Sequence, residues 1–139
     1  MQTTWQTVSG PGFRFQAPSG WTLERAKSQV SATHGPELVQ VSTFPLQKPY
    51  DAKLFGKVAR ELRARMDAIA TQTSGRVSAE RTVTVDSVRS HAYDVTIGDH
   101  LDEYTFVLSG MREDLLLCRR PASGPSTFCA QLVTSFARA

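Results

Sequence analysis

The amino-acid sequence predicts an α+β fold, with a mostly antiparallel, twisted sheet of about six to seven strands, one long helix and a C-terminal helix. Successive apolar–polar alternations joined by turn residues indicate hairpins. Two segments place apolar residues at helical spacing. The length of 139 residues and the hydrophobic fraction of 40% are typical of one globular domain, so we treat residues 1–139 as a single domain.

The first third of the chain is predicted to form strands and tight turns. Phe13 and Phe15 alternate with polar residues after a Gly-Pro-Gly turn, which is the period of a half-buried strand. Gly35 and Pro36 separate "SQVSATH" from "ELVQVSTF", and this pair of segments predicts a hairpin.

Residues 49–75 carry the longest helical pattern. Asp51 follows Pro49 and is the predicted N-cap, and Gly75 is the predicted end. One arc of this helix collects the apolar side chains Leu54, Phe55, Val58, Leu62, Met66 and Ile69.

The second half predicts further strands and a last helix. "RVSAERTVTV" and "VRSHAYDVTI" flank the two-residue turn of Asp86 and Ser87 and predict a hairpin. "YTFVLSG" alternates as a strand does, and after "MRED" the apolar run "LLLC" predicts a central strand. The final helix is predicted from about Ser126, and its apolar arc consists of Phe128, Cys129, Leu132, Val133 and Phe136.

The net charge of +3 and the pI of about 9.1 are mildly basic, and the excess forms no Lys/Arg run. No apolar stretch reaches the roughly 18–20 residues of a membrane span. We therefore expect neither nucleic acid nor a membrane span for this chain. Lys53, Lys57 and Arg60 lie opposite the apolar arc of the long helix, where they predict either a partner-binding surface or an ordinary solvated face.

The two cysteines, Cys118 and Cys129, bear on the compartment. C-x10-C without a neighbouring His does not fit structural zinc, and it lacks the C-x-x-C spacing of a redox pair. Two buried free thiols and a disulfide remain. We expect the disulfide, because Cys118 ends the strand before the last helix and Cys129 lies in the arc that must fold back on the sheet. A disulfide implies an oxidising compartment, which here means the periplasm, the cell envelope or the extracellular space, and we then expect that a leader has been removed.

Few residues suggest chemistry. Asp99, His100, Asp102 and Glu103 cluster in a predicted hairpin turn, but their spacing matches no metal-binding loop. No glycine-rich nucleotide motif follows a predicted strand, and no catalytic motif frames any of the three histidines. We expect no catalytic residue, no cofactor and no metal.

Several segments carry a resemblance to a known family: "GFRFQAPSGW", "VSTFPLQKPYDAKLFGKVARELRARM", "YDVTIGDHLDEYTFVLSGMREDLLLCRR" and "CAQLVTSF". They resemble the PsbP/Mog1-like families, which include LpqN-type bacterial cell-envelope lipoproteins. The resemblance spans most of residues 5–137 and implies an α/β/α sandwich and a non-catalytic role. It transfers no functional residue. The lipobox cysteine of a lipoprotein would lie upstream, so a lipid anchor there is compatible with this chain.

These observations favour a binding or scaffolding module of the bacterial cell envelope, exported, disulfide-bonded, and either monomeric or weakly dimeric, with a protein or another envelope component as its partner. One alternative is a small-molecule or lipid carrier with a cavity between sheet and helix. The other is an enzyme of unrecognised type that combines His91 with carboxylates of residues 99–103.

Overall fold

The computed structural model describes residues 3–124 and 126–139, and these contain nine strands and two α-helices. The strands are β1 (Trp5–Gly10), β2 (Phe13–Pro18), β3 (Thr22–Ala26), β4 (Gln29–His34), β5 (Glu37–Tyr50), β6 (Arg76–Val85), β7 (Val88–Ile97), β8 (His100–Pro121) and β9 (Ala137–Arg138). The helices are α1 (Phe55–Gln72) and α2 (Thr127–Ser135), and a 3-10 turn over Ala52–Leu54 leads into α1. The predicted α+β class is confirmed.

The main sheet has the order β3-β4-β5-β8-β7-β6, and β1, β2 and β9 form a small second sheet. Neighbouring residues of β8 point to opposite faces of the main sheet. Phe106 packs with Leu62 and Met66 of α1, whereas Val107 belongs to the core that includes Leu132 of α2. The architecture is therefore the expected α/β/α sandwich, and its second outer layer combines α2 with the small sheet.

Strand β8 folds back on itself. Arg119 Nε donates to Asp102 Oδ1 at 2.8 Å, although the two residues are 17 positions apart in the chain. A straight strand would separate them by about 55 Å. The reversal lies at Gly110, whose φ of 60° is readily accessible only to glycine. The two arms of β8 make the sheet seven extended segments wide, as the predicted strands on either side of "MRED" require.

Helix α1 begins and ends close to the predicted residues. Asp51 Oδ1 accepts the Lys53 backbone N–H at 2.9 Å, and the Gly75 N–H donates to the carbonyl of Ala70. The prediction for Leu54 was wrong, because this side chain is 38% exposed and lies outside the buried arc. It belongs to the 3-10 turn, whose tighter winding rotates it away from the α-helical arc.

Two devices fix the α2 face of the sheet. The predicted disulfide is confirmed: Cys118 of β8 and Cys129 of α2 are bonded and buried, with a Cα–Cα distance of 5.6 Å. Asp114 is fully buried and accepts hydrogen bonds from Arg112 Nε at 2.9 Å and from Arg138 Nε at 2.8 Å. We call Arg112, Asp114 and Arg138 the Asp114 clamp; it ties β9 to the main sheet.

In the described residues, no helix is long and apolar enough to cross a membrane.

Candidate functional site

Two groups of cations stand out, and four further cations, Arg14, Arg25, Lys27 and Arg76, belong to neither. Many arginines pair with carboxylates across the sheet, for example Arg63 with Glu80 at 2.8 Å and Arg81 with Asp94 at 2.9 Å. A second group surrounds the N-terminal half of α1 and forms no ion pair among the described residues. We call it the basic end; its members are Lys48, Lys53, Lys57, Arg60 and Arg89.

The basic end carries the whole charge excess of the chain. Its five cations stand beside only two carboxylates, Asp51 and Glu61. These seven residues together therefore account for all of the formal net charge of +3. The eleven remaining cations are balanced by eleven carboxylates. The surface outside the basic end is therefore neutral overall, and the basic end supplies the long-range positive field.

A groove lies between the basic end and the sheet, because β5 leaves the sheet there. Pro45 is opposite Arg112 and Tyr50 is opposite Gly110, so β5 advances by five residues while β8 advances by two. The two prolines of this stretch, at positions 45 and 49, have no N–H to donate to a neighbouring strand. The chain therefore bulges away from β8 before it enters α1.

The groove consists of two adjoining pockets on either side of Tyr50, with volumes of about 330 and 250 Å³. We call them together the α1 groove. Tyr50 and Leu108 line both pockets. The first pocket is further lined by Ala52, Phe55, Ser87, Val88, Arg89, Ser109 and Gly110. The second is further lined by Leu46, Lys48, Pro49, Leu54, Val58, Glu61, Leu62, Arg65 and Glu113. The lining is thus mostly apolar; the first pocket has one cation, Arg89, and the second has two cations, Lys48 and Arg65, and two carboxylates, Glu61 and Glu113.

One wall of the first pocket is a three-layer stack. The guanidinium carbon of Arg89 lies 3.9 Å from the centre of the Phe55 ring, and the His91 ring stacks against Phe55 at 3.9 Å between centroids. His91 is 4% exposed and its Nε2 has no hydrogen-bond partner among the described residues. Burial lowers the pKa of His91, and the nearby Arg89 lowers it further. His91 is therefore a neutral packing residue behind the groove.

The three cations singled out in the sequence, Lys53, Lys57 and Arg60, are all exposed. They lie on the first turns of α1 and in the 3-10 turn before it, next to the groove that Leu54 and Phe55 line. None of the three lines either pocket, so they adjoin the groove through their chain neighbours Leu54, Phe55 and Val58 and do not line it themselves.

The acidic cluster of residues 99–103 is divided by the fold. Asp102 is buried and pairs with Arg119, whereas Glu103 lies on the opposite face of β8 and pairs with Arg120 at 2.7 Å. Asp99 and His100 line a separate cleft of about 340 Å³ together with Pro36, Glu37, Arg119, Arg120 and Pro121. Within the described residues, no group of three or more His, Cys, Asp or Glu side chains is arranged to hold a metal ion.

The combination that the enzyme alternative requires does not form. In the pairing of β7 with β8, His91 is opposite Phe106 and Val95 is opposite Asp102. Glu103, the nearest member of the acidic cluster, is opposite Asp94, so three residues of strand separate it from His91, which is about 10 Å. His34 is exposed, stacks on Trp21 with ring centroids 5.7 Å apart, and approaches Glu37 at 3.7 Å.

Sequence reasoning did not identify Arg89, Tyr50 or Lys48 as site residues. Arg89 lies two residues before His91 on β7, so the strand alternation could have placed both on the α1 face. The two prolines on either side of Lys48 were a signal that β5 departs from the sheet.

Comparison with known proteins gives a likeness of structure only. No family model matches the chain, and no curated protein matches it in sequence. The solution structure of cyanobacterial PsbP (CyanoP) from Synechocystis sp. PCC 6803 covers 100% of this chain and 95% of its own length, with a TM-score of 0.71 and 13% identity. A crystal structure of a protein from Bacteroides thetaiotaomicron VPI-5482 gives a TM-score of 0.61 at 12% identity, and the chain spans about half of that protein, 49%. The chain therefore has a PsbP-like fold.

Proposed function

We propose that this chain is a non-catalytic accessory module of the bacterial cell envelope, and that it binds a protein partner through the α1 groove and the basic end. The observation that carries the proposal is the position of the charge excess. Lys48 and Arg89 line the groove, Lys53, Lys57 and Arg60 lie on the adjoining turns at the start of α1, and the rest of the chain is electrically balanced. Such a surface attracts an acidic partner from a distance and then buries apolar contacts.

Exposed apolar side chains support a protein partner. Among the described residues, four large apolar side chains are exposed; one of them lines the groove, and two more are neighbours of lining residues. Leu54 lines it, Met111 follows Gly110 of the first pocket, and Phe44 pairs with Glu113 of the second. Exposed apolar groups with a polar rim are typical of protein interfaces.

The shape of the groove and the burial of His91 count against the two alternative functions, a lipid carrier and an enzyme. Tyr50 divides the groove into two pockets whose rims are exposed, whereas a lipid carrier needs one continuous enclosed cavity for an acyl chain. An enzyme needs a base or nucleophile in reach of a substrate, and His91 behind the groove is buried and stacked on Phe55.

The buried disulfide supports a place outside the cytoplasm, because structural disulfides persist in oxidising compartments. Export also suits a module that acts on an envelope protein.

The test is a comparison of two triple variants that remove the same charge. K53A/K57A/R60A removes three cations of the basic end, and R14A/K27A/R76A removes three exposed cations elsewhere. A partner is captured from cell-envelope extract on the unchanged domain, identified by mass spectrometry, purified and titrated against both variants. We expect the first variant to lose binding and the second to retain it, with both melting near the parent temperature, since exposed substitutions usually change stability by less than about 0.5 kcal/mol. Equal binding by the two variants would refute the proposed surface.

A further inference from the structure

We propose that Arg89 is a carboxylate-binding residue of the α1 groove, and that the partner presents an Asp or Glu side chain there, next to an apolar anchor. The inference rests on the proposed function and deepens it, because it names the chemical group that the groove recognises.

Arg89 differs from the six arginines whose guanidinium groups donate hydrogen bonds to carboxylates. Arg63, Arg81, Arg112, Arg119, Arg120 and Arg138 each donate to a carboxylate. Arg89 forms no such bond within residues 3–124 and 126–139, and its side chain is exposed. Its five N–H donors are thus available to a ligand.

The stack on Phe55 holds the guanidinium in place. The guanidinium carbon lies 3.9 Å from the ring centre, and Phe55 is itself supported from behind by the buried His91. A guanidinium over an aromatic ring loses side-chain freedom before any ligand arrives, so less entropy is lost on binding. The planar fork then matches a carboxylate with two parallel hydrogen bonds.

The other groups of the first pocket suit a carboxylate on a short aliphatic stem. Tyr50, Ser87 and Ser109 contribute hydroxyls, and Val88 and Leu108 contribute apolar surface. The carboxylate of Asp51 also lies near Tyr50: burial raises the pKa of Tyr50 most, Arg89 lowers it, and Asp51 raises it. Asp51 is already engaged in capping the 3-10 turn through the Lys53 N–H.

A single arginine with neutral hydroxyls fits one carboxylate better than a dianionic phosphate, which usually recruits several cations. The second pocket accounts for the apolar anchor of the partner, because its lining includes the apolar side chains of Leu54, which is exposed, Leu46 and Val58. An acidic residue followed closely by an apolar one would occupy both pockets of the groove.

The test uses a defined probe. The 15N-labelled chain is titrated with the acetylated peptide Leu-Glu-Asp-Leu-Phe-amide, with the matched peptide in which Gln and Asn replace the acids, and with inorganic phosphate. We expect saturable shifts of the Arg89 Nε–H signal and of the Ser109 and Gly110 amides with the acidic peptide only. R89K keeps the positive charge but lacks the two parallel N–H donors of the guanidinium, and it is expected to weaken binding about ten-fold or more. The matched variant R76K is expected to bind as the parent does.

Three outcomes would overturn the assignment. Equal shifts with the amide peptide would show that no carboxylate is read, and equal or tighter binding of phosphate would show a general anion site. Shifts confined to Lys53, Lys57 and Arg60 would place the acid elsewhere on the basic end. In that last case the proposed function stands, since the triple-variant comparison tests it separately.

Discussion

Lys53 occupies a position where a cation destabilises the helix, and this cost offers a direct test of the role of the basic end. It lies in the 3-10 turn at the N-terminal end of α1, and the first turn of α1 contains no acidic residue. The partial positive charge of a helix N-terminus repels a cation there. Lys57 follows about one turn later, so a second ammonium group adds to the positive charge at this end of the helix.

Replacing Lys53 by glutamate reverses both effects. A favourable charge at a helix N-terminus contributes about 0.3–1 kcal/mol. We therefore expect K53E to raise the free energy of unfolding by about 1 kcal/mol, which corresponds to about 3–4 °C in melting temperature for a chain of this length.

The assay is thermal denaturation at low salt and in 1 M NaCl, combined with titration of the captured partner. K53E is expected to melt higher at low salt, to lose most of that gain at high salt because the charges are screened, and to bind the partner more weakly. K27E makes the same charge change in an exposed turn outside any helix and serves as the control. An equal gain in K27E, or no gain at low salt, would show that the helix terminus is not the cause.

Four further predictions concern the parts of the chain that hold the fold and the titratable groups. D114N breaks the buried clamp and is expected to cost about 3–5 kcal/mol in urea denaturation; a loss below about 1 kcal/mol would contradict the clamp. The unreduced protein is expected to have a mass about 2 Da below the reduced chain, and reduction of the Cys118–Cys129 bond to lower stability by roughly 3 kcal/mol; two alkylatable thiols in the native protein would refute it. Burial lowers the pKa of His91, so this imidazole binds a proton more readily in the unfolded chain than in the folded one, and stability is expected to fall as the pH drops below about 6.5. H91F is expected to reduce this dependence of stability on pH. An unchanged dependence in H91F would assign it to another group. Calorimetric titration with zinc, calcium and manganese is expected to show no stoichiometric binding, and a micromolar one-to-one isotherm lost in D102A would overturn this expectation.

Local patterns were sufficient to predict much of the fold. Apolar alternation identified the strands, and the turn of Asp86 and Ser87 was recognised from the segments around it; both residues have positive φ, 48° and 66°, as the predicted hairpin requires. Predicting the disulfide needed one further inference: Cys118 and Cys129 lie on adjacent elements that must pack together to form the core.

The candidate site depends on contacts that no local pattern carries. Arg119 and Asp102 meet only because β8 reverses at Gly110, and Arg89 reaches Phe55 only because α1 crosses β7. The departure of β5 from the sheet is likewise a consequence of pairing, in which residues 45 and 50 face residues 112 and 110. Sequence reasoning could name the exposed cations of α1, but the groove beside them exists only in the assembled fold.

The two faces of the main sheet serve different purposes in this arrangement. The disulfide and the Asp114 clamp both lie on the α2 face, together with the core that contains Val107. The α1 groove and its unpaired cations lie across the sheet, next to the core of Phe106. Clustered like charges and exposed apolar side chains reduce stability, and on the α1 face the buried core of Leu62, Met66 and Phe106 works against that loss. The disulfide and the Asp114 clamp stabilise the fold from the opposite face. Perturbations of the two faces are therefore expected to add independently, so a change in the clamp should weaken the fold while the groove of the remaining folded molecules keeps its affinity.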